Sequence, residues 1–355
     1  MSAGTTRAPD SVHLVGSIGL LSVEDVFKTC GQTLGRRLKR IPDGEVGGRR
    51  LWISWQLPLL RSMPFLQNVD PSKGNFSPMR LADGVSAKDI FFGELGYARE
   101  ARSSYQDFVA ARARGDVAEG VRFMVALPTP YAVIQPFTER ETFKALEEPY
   151  TAAMIAEVAR VCAAIPHSDL AIQWDVCIKM LVWDGASERW QWPYGGDGKA
   201  GIIDRLARLS KAVPTDVELG FHLCYGDMDA KHFFEPKDSG AMVNLANMLA
   251  EKVGRPVQWL HMPVPRDRKD DAFFAPLSKL RLHPETEIYL GVVHPQDGLD
   301  GLQLRLKAAG AYLAKFGIST ECGIARVRTP QLVEELIKLH AQGAQEPANR
   351  ASAAT

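Results

Sequence analysis

The sequence has no excess charge of either sign: 42 Lys and Arg face 42 Asp and Glu. Without a global field, nothing draws the chain to nucleic acid or to an anionic lipid surface. No uninterrupted apolar run approaches the ~18–20 residues of a membrane span, and the opening MSAGTTRAPDS lacks the apolar stretch of a secretory signal. The expected location is therefore the cytoplasm. Cysteine is sparse and odd in number, five in 355 residues (Cys30, Cys162, Cys177, Cys224 and Cys322). That excludes a disulfide framework and leaves reduced thiols or metal ligands. No repeat with a period of 20–50 residues stands out.

What the sequence does have is the composition of an ordinary globular protein, 46% hydrophobic and 24% charged, enough apolar material for one large core. Short β-rich runs alternate with longer amphipathic ones. The β-rich runs are Ser11–Gly16, Arg37–Ile41, Val121–Leu127, Asp169–Trp174, Asp216–Phe221, Pro256–Leu260, Glu287–Val293 and Phe316–Thr320, bounded by turn residues. Between them the periodicity predicts helices over Val23–Leu34 after a Ser22 cap, Ala98–Ala113, Glu139–Ala164, Ile202–Ala212, Ala241–Val253 and Gly301–Lys315. A last helix, Gln331–His340, opens with Thr329 as cap and Pro330 as first helical residue. Eight strand candidates predict a (β/α)₈ TIM barrel, α/β in class, as a single domain over residues 1–341 with long βα loops. The Ala-, Gln- and Ser-rich stretch 342–355 is expected to be a disordered tail. An open doubly wound sheet is the competing arrangement.

Two connections are long, residues 44–95 and 183–201, and long βα segments in a barrel usually form lids or substrate walls. The second brings together Trp190, Trp192 and Tyr194, aromatic area that either covers a ligand or packs on the barrel.

Nearly every expected strand stops at a residue able to bind or react: Ser17, Asp43 and Glu45, Asp175, His222 and Cys224, His261, His294, Cys322. In a barrel these ends converge on one mouth. In the extended segment FHLCYG, side chains at i and i+2 point the same way, so His222 and Cys224 can grip one ion at two corners of a tetrahedron. Cys322, in STECGIAR, can supply a third corner, with Gly323 letting the backbone pass close by. The expected ion is Zn²⁺. His261, ending the strand beside that of His222, is the candidate fourth ligand, or else only hydrogen-bonds within the cleft. Cys30 and Cys162 fall on helical patterns, whereas Cys177, two residues beyond Asp175, is ambiguous.

The motifs VGSIG, IQWDV, FHLCYG and ECGIAR resemble those of the C-terminal catalytic barrel of cobalamin-independent methionine synthase and its thiol alkyltransferase relatives, in a superfamily shared with uroporphyrinogen decarboxylase. The likeness spans most of the chain but is carried by short motifs. It implies zinc ligation by His222, Cys224 and Cys322, an Asp175 that holds a substrate amino group, a Ser17 in the substrate pocket, and a His294 near the family's catalytic histidine in inexact register. The reaction it implies is attack of a zinc-activated small-molecule thiol on an alkyl (methyl) carbon of a donor.

Departures from the family pattern are His261 where an acidic ligand is expected, Val176 in place of the second acid of the Asp-Glu pair, and no counterpart to the separate barrel that helps bind folate. Folate-dependent methionine synthesis is therefore not expected. RIPDGEVGGRR, with Asp43, Glu45, Arg49 and Arg50, is not a motif of the synthases; it suggests recognition of a charged substrate, or a solvated loop. The rival readings are a zinc lyase or hydrolase with metal-bound water, a metal-free decarboxylase, and a zinc-bearing small-molecule sensor. Self-association stays open.

Overall fold

The computed structural model describes residues 9–186, 190–227, 231–326, 328–345 and 347. Seven strands form one curled, wholly parallel sheet in the order β1 (Arg40–Pro42), β4 (Arg122–Pro128), β5 (Leu170–Val176), β6 (Glu218–Leu223), β7 (Trp259–Pro263), β8 (Glu287–Val293) and β9 (Gly317–Thr320). A short antiparallel ribbon, β2 (Leu66–Asn68) with β3 (Met79–Leu81), lies inside the long segment 44–95. The helices are α1 (Val23–Leu34), α2 (Leu57–Arg61), α3 (Tyr97–Ala113), α4 (Pro130–Ile134), α5 (Arg140–Ala164), α6 (Ile178–Asp184), α7 (Gly198–Lys211), α8 (Gly240–Lys252), α9 (Asp271–Phe274), α10 (Gly298–Gly310) and α11 (Pro330–Gly343). Neighbouring helices pack on one another, and α11 packs on α1.

The expected first strand, Ser11–Gly16, is not a ladder. It makes isolated bridges, in which Val12 touches Leu38 beyond one edge of the sheet and Ile318 at the other. The pairing lapses near Val15, whose carbonyl instead accepts a 2.6 Å hydrogen bond from Gln173 Nε2. Further along, Ile18 N bonds Gly44 O and Ile324 N bonds Ser17 O, at 2.8 and 2.7 Å.

Local chemistry fixes several ends. Ser22 caps α1 by accepting from Asp25 N, and Thr329 caps α11 ahead of Pro330. Helix α7 starts four residues before the expected Ile202 because Asp197 accepts from Lys199 N and Ala200 N. The expected tail proves structured at its start: α11 runs to Gly343, Ala344 is buried, and Gln345 N bonds Pro9 O at 2.7 Å. Beyond residue 345 the tail lies outside the described residues, Pro347 excepted, as do residues 187–189 of the segment 183–201.

Strand alternation assigns the two faces of the sheet. Ile172, Trp174, Leu219, Phe221, Leu260 and Met262 enter the main core with the helices, while Met124, Ala171, Trp259 and Tyr289 form a separate apolar cluster. Gly220 is required there, since a Cβ would overlap the Trp259 indole. At the strand starts, Arg40 is 4% exposed, ion-paired with Glu218 and Glu287 and 4.1 Å from the Trp259 ring centroid. Lys39 joins Glu287 and Arg122 joins Glu218. No helix among the described residues is long and apolar enough to cross a membrane.

Candidate metal centre and cleft

At the other end of the strands a cavity of about 480 Å³ opens, lined among others by Ser17, Glu45, Trp52, Asp175, Cys177, Trp190, His222, Cys224, Cys322 and Arg326. Register brings the key groups together. Asp175 pairs with His222 across β5 and β6, and His222 pairs with His261 across β6 and β7. One donor atom each from His222, Cys224 and Cys322 gather within 4.8 Å of one another. The two sulfurs stand 3.8 Å apart, close to the ~3.8 Å edge of a tetrahedron with Zn–S bonds of ~2.3 Å.

His261 does not join that group. Its Nε2 lies 3.0 Å from the Thr320 carbonyl, which can only accept, so the proton sits on Nε2. Burial pulls the His261 pKa down to about 3, so its ring is neutral and Nδ1 bears a lone pair. His222 Nδ1 lies 2.7 Å from that Nδ1 and must donate to it. His222 Nε2 is then unprotonated. It is buried and without a hydrogen-bond partner, the state a metal ligand needs. The expected fourth ligand thus stands behind the first, fixing its tautomer.

The thiols need a cation to ionise. The neighbouring Cys177 thiol, then burial, push Cys224 well up, and Cys224 with burial does the same to Cys322. A divalent ion between them would reverse both shifts by direct attraction. The donor set of one neutral imidazole and two thiols therefore fits zinc. Arg326 Nη2 lies 3.8 Å from Cys322 Sγ and supplies a resident positive charge.

Three acids face the same cavity, Glu45, Asp175 and Asp227, and among the described residues none has a hydrogen-bonded cation, although Arg326 and Arg328 stand 3.5 and 3.6 Å from Asp227. Asp175 is raised to about 7 by burial, against hydrogen bonds from Gln173 Nε2 at 2.9 Å and Trp52 Nε1 at 3.1 Å. Glu45 is raised to about 8 by burial and then by Asp175. Glu45 and Trp52 are also the non-glycine residues with positive φ among those described, 49° and 55°. Such strain in a bulky residue persists only where surrounding contacts hold it, often at functional sites.

Of the other expected site residues, Ser17 and Trp190 line the cavity. Gly323 is needed beside them, because a Cβ there would overlap the Ser17 hydroxyl. Asp43 does not reach the cavity: it is buried and held by Arg49 at 2.6 Å, Ser104 at 2.7 Å and the Glu45 amide, so its charge is spent on the loop. Trp192 packs against Tyr131 and under Arg205, with its Nε1 on Gly195 O. His294 also stays out of the cavity, its Nε2 donating to Val264 O at 2.9 Å and its Nδ1 3.4 Å from Glu321. Sequence reasoning missed Trp52 and Arg326. Trp52 sits in the long segment that the loop-length argument marks as a wall, and Arg326 sits four residues beyond Cys322 in the motif already singled out.

No protein-family model and no curated protein matches the chain. Among solved structures it shares its fold with a putative vitamin-B12-independent methionine synthase from Listeria monocytogenes, at 14% identity and TM-score 0.54, covering 96% of this chain and 99% of that one. A B12-independent methionine synthase from Shewanella sp. W3-18-1, solved in complex with selenomethionine, is similar at 12% identity and TM-score 0.58, covering 95% and 97%. At such identities the likeness is one of fold.

Proposed function

We propose that the chain is a single catalytic domain, an eight-staved barrel with Ser11–Ile18 as the irregular stave, and a zinc-dependent transferase that alkylates a small-molecule thiol. The observation that carries this is the donor set at the mouth: two thiols at tetrahedral spacing beside a buried, unprotonated, unpartnered imidazole nitrogen. When bound there, zinc supplies the positive charge that keeps a substrate thiol ionised and nucleophilic at neutral pH.

The chain's own residues do the rest. His222, Cys224 and Cys322 would hold the ion, and His261 keeps the His222 lone pair pointed at it. Asp175 and Glu45, two acids poised near neutrality, would receive a cationic group of the substrate, whose charge would draw both toward ionisation. Trp52 holds the Asp175 carboxylate in place, and Trp190 with Phe137 and Leu51 gives the cavity an apolar wall that limits water. Selenomethionine, present in the Shewanella structure, carries both features the cleft is suited to, an amino group and a soft chalcogen. An amino-acid-like thiol is accordingly the substrate class.

The test is metal content followed by thiol dependence. Purified protein is expected to carry about one zinc per chain, and Cys224→Ser or Cys322→Ser to lose it while the circular dichroism spectrum stays native. Full turnover of metal-free protein, or turnover without any thiol, would overturn the proposal.

A further inference from the structure

A third cysteine faces the same cavity, and neither the motifs nor the fold comparison gives it a task. Cys177 follows the last residue of β5 and precedes α6. The β5–β6 register pairs Asp175 with His222 and Val176 with Leu223, so its continuation sets Cys177 beside Cys224. The backbone agrees, since Cys224 N donates to Val176 O at 3.2 Å. By alternation, Asp175 and Cys177 face the side that His222 and Cys224 face, and all four line the cavity. Cys177 is also 2% exposed, so its thiol is shielded from bulk solvent.

We propose that Cys177 is a fourth ligand of the zinc site in the absence of substrate, giving a resting set of one imidazole and three thiolates. This rests on the zinc reading above and deepens it. Two observations support it beyond proximity. The position where a fourth ligand was expected, His261, is closed to that role because both of its ring nitrogens are engaged. Three thiolates around Zn²⁺ would leave a net charge of −1; Arg326 beside Cys322 and Arg328 share the Asp227 carboxylate, at 3.5 and 3.6 Å, so one positive charge remains to face a centre of that charge. Cys177 lies outside the 4.8 Å group of the other three donors, so ligation requires a side-chain movement. A ligand that must swing in can also swing out: the zinc–Cys177 bond would break as the bond to the substrate sulfur forms, and the proton the substrate thiol releases would pass to the departing Cys177 thiolate. Charge and donor set at the centre are then the same before and after that exchange.

The experiment is zinc K-edge X-ray absorption on the full chain, loaded with zinc and kept reduced with a phosphine so that no added thiol contributes sulfur. The wild type is expected to show three sulfur neighbours and one nitrogen. Cys177→Ala is expected to retain about one zinc with two sulfurs and two lighter neighbours, and to release zinc to a chromogenic chelator about tenfold faster, in line with loss of one ligand contact. Cys177→Ser, with a similar fold by circular dichroism, should behave as Cys177→Ala does. Two sulfurs in the wild type, or an unchanged sulfur count in Cys177→Ala, would overturn the Cys177 assignment while leaving the zinc site standing. A wild-type protein that takes up no zinc would instead overturn the site itself.

Discussion

The two ends of the sheet use the same residue types to opposite effect. At the strand starts, burial alone would lower Arg40, but Glu287, Tyr289 and Glu218 raise it. Glu287 is held below its ordinary value, with Arg40 and Lys39 outweighing its burial. Every charge there has a partner at hydrogen-bonding distance. At the strand ends, Asp175 is buried and Glu45 half-buried, both lack bonded cations, and both rise to near neutrality. His222 Nε2 is left without any partner. Burial is common to both ends, so it does not by itself separate scaffold from site; unfinished bonding does.

The comparison breaks most visibly at the floor. Arg40→Ala leaves Glu218 with Arg122 and Glu287 with Lys39 but removes two charged hydrogen bonds and a buried side chain, and should cost about 2–4 kcal/mol in urea unfolding. A loss under about 1 kcal/mol would show the floor to be as loosely bonded as the mouth. Behind the proposed metal ligands, His261→Ala frees the His222 ring and should weaken zinc binding about 10–100-fold in chelator competition, with the fold preserved. Unchanged affinity would mean that packing alone orients His222.

The smallest effect is at Glu45. Between its ordinary value of 4.5 and about 8, the folded protein keeps a proton that the unfolded chain has released. Stability therefore falls as pH rises through that window, by at most about 1.4 kcal/mol per unit. Glu45→Gln removes that slope and should be more stable than the parent at pH 9 by about 1 kcal/mol, after allowing for solvent at a partly exposed carboxyl. A variant less stable than the parent at that pH would mean that the carboxylate is satisfied after all.

Much of this was legible because strand alternation and strand ends are periodic properties. The βα alternation located seven strands, and the i, i+2 spacing of His222 and Cys224 placed two donors on one face. What stayed hidden depends on partners distant in sequence. Ser11–Gly16 has strand composition, but a side chain 158 residues away takes the Val15 carbonyl. Asp43 and Glu45 look alike in RIPDGEVGGRR, yet Arg49 pairs with Asp43 and Ser104 donates to it, while Glu45 faces the cavity. Trp192 and Trp190 differ in the same way, one spent on packing and one on the wall. Cys177 was ambiguous because its neighbour, Cys224, belongs to the next strand.

The order in which the donors emerge during synthesis has its own consequence. Cys322 lies 98 residues beyond Cys224, so at ~5–20 residues per second a ribosome delivers it roughly 5–20 s later. The stave that carries Ser17 is made first, yet it bonds to Ile318 and Ile324, which are made almost last. A nascent chain therefore displays Cys177, His222 and Cys224 for seconds with no wall closed around them and one donor missing. Metal taken up in that interval would be held by an incomplete set and exchanged readily. Tight capture by the proposed centre would belong to the moment after the ninth strand has docked, so its loading would be a late, post-translational event rather than a step that guides the chain's folding.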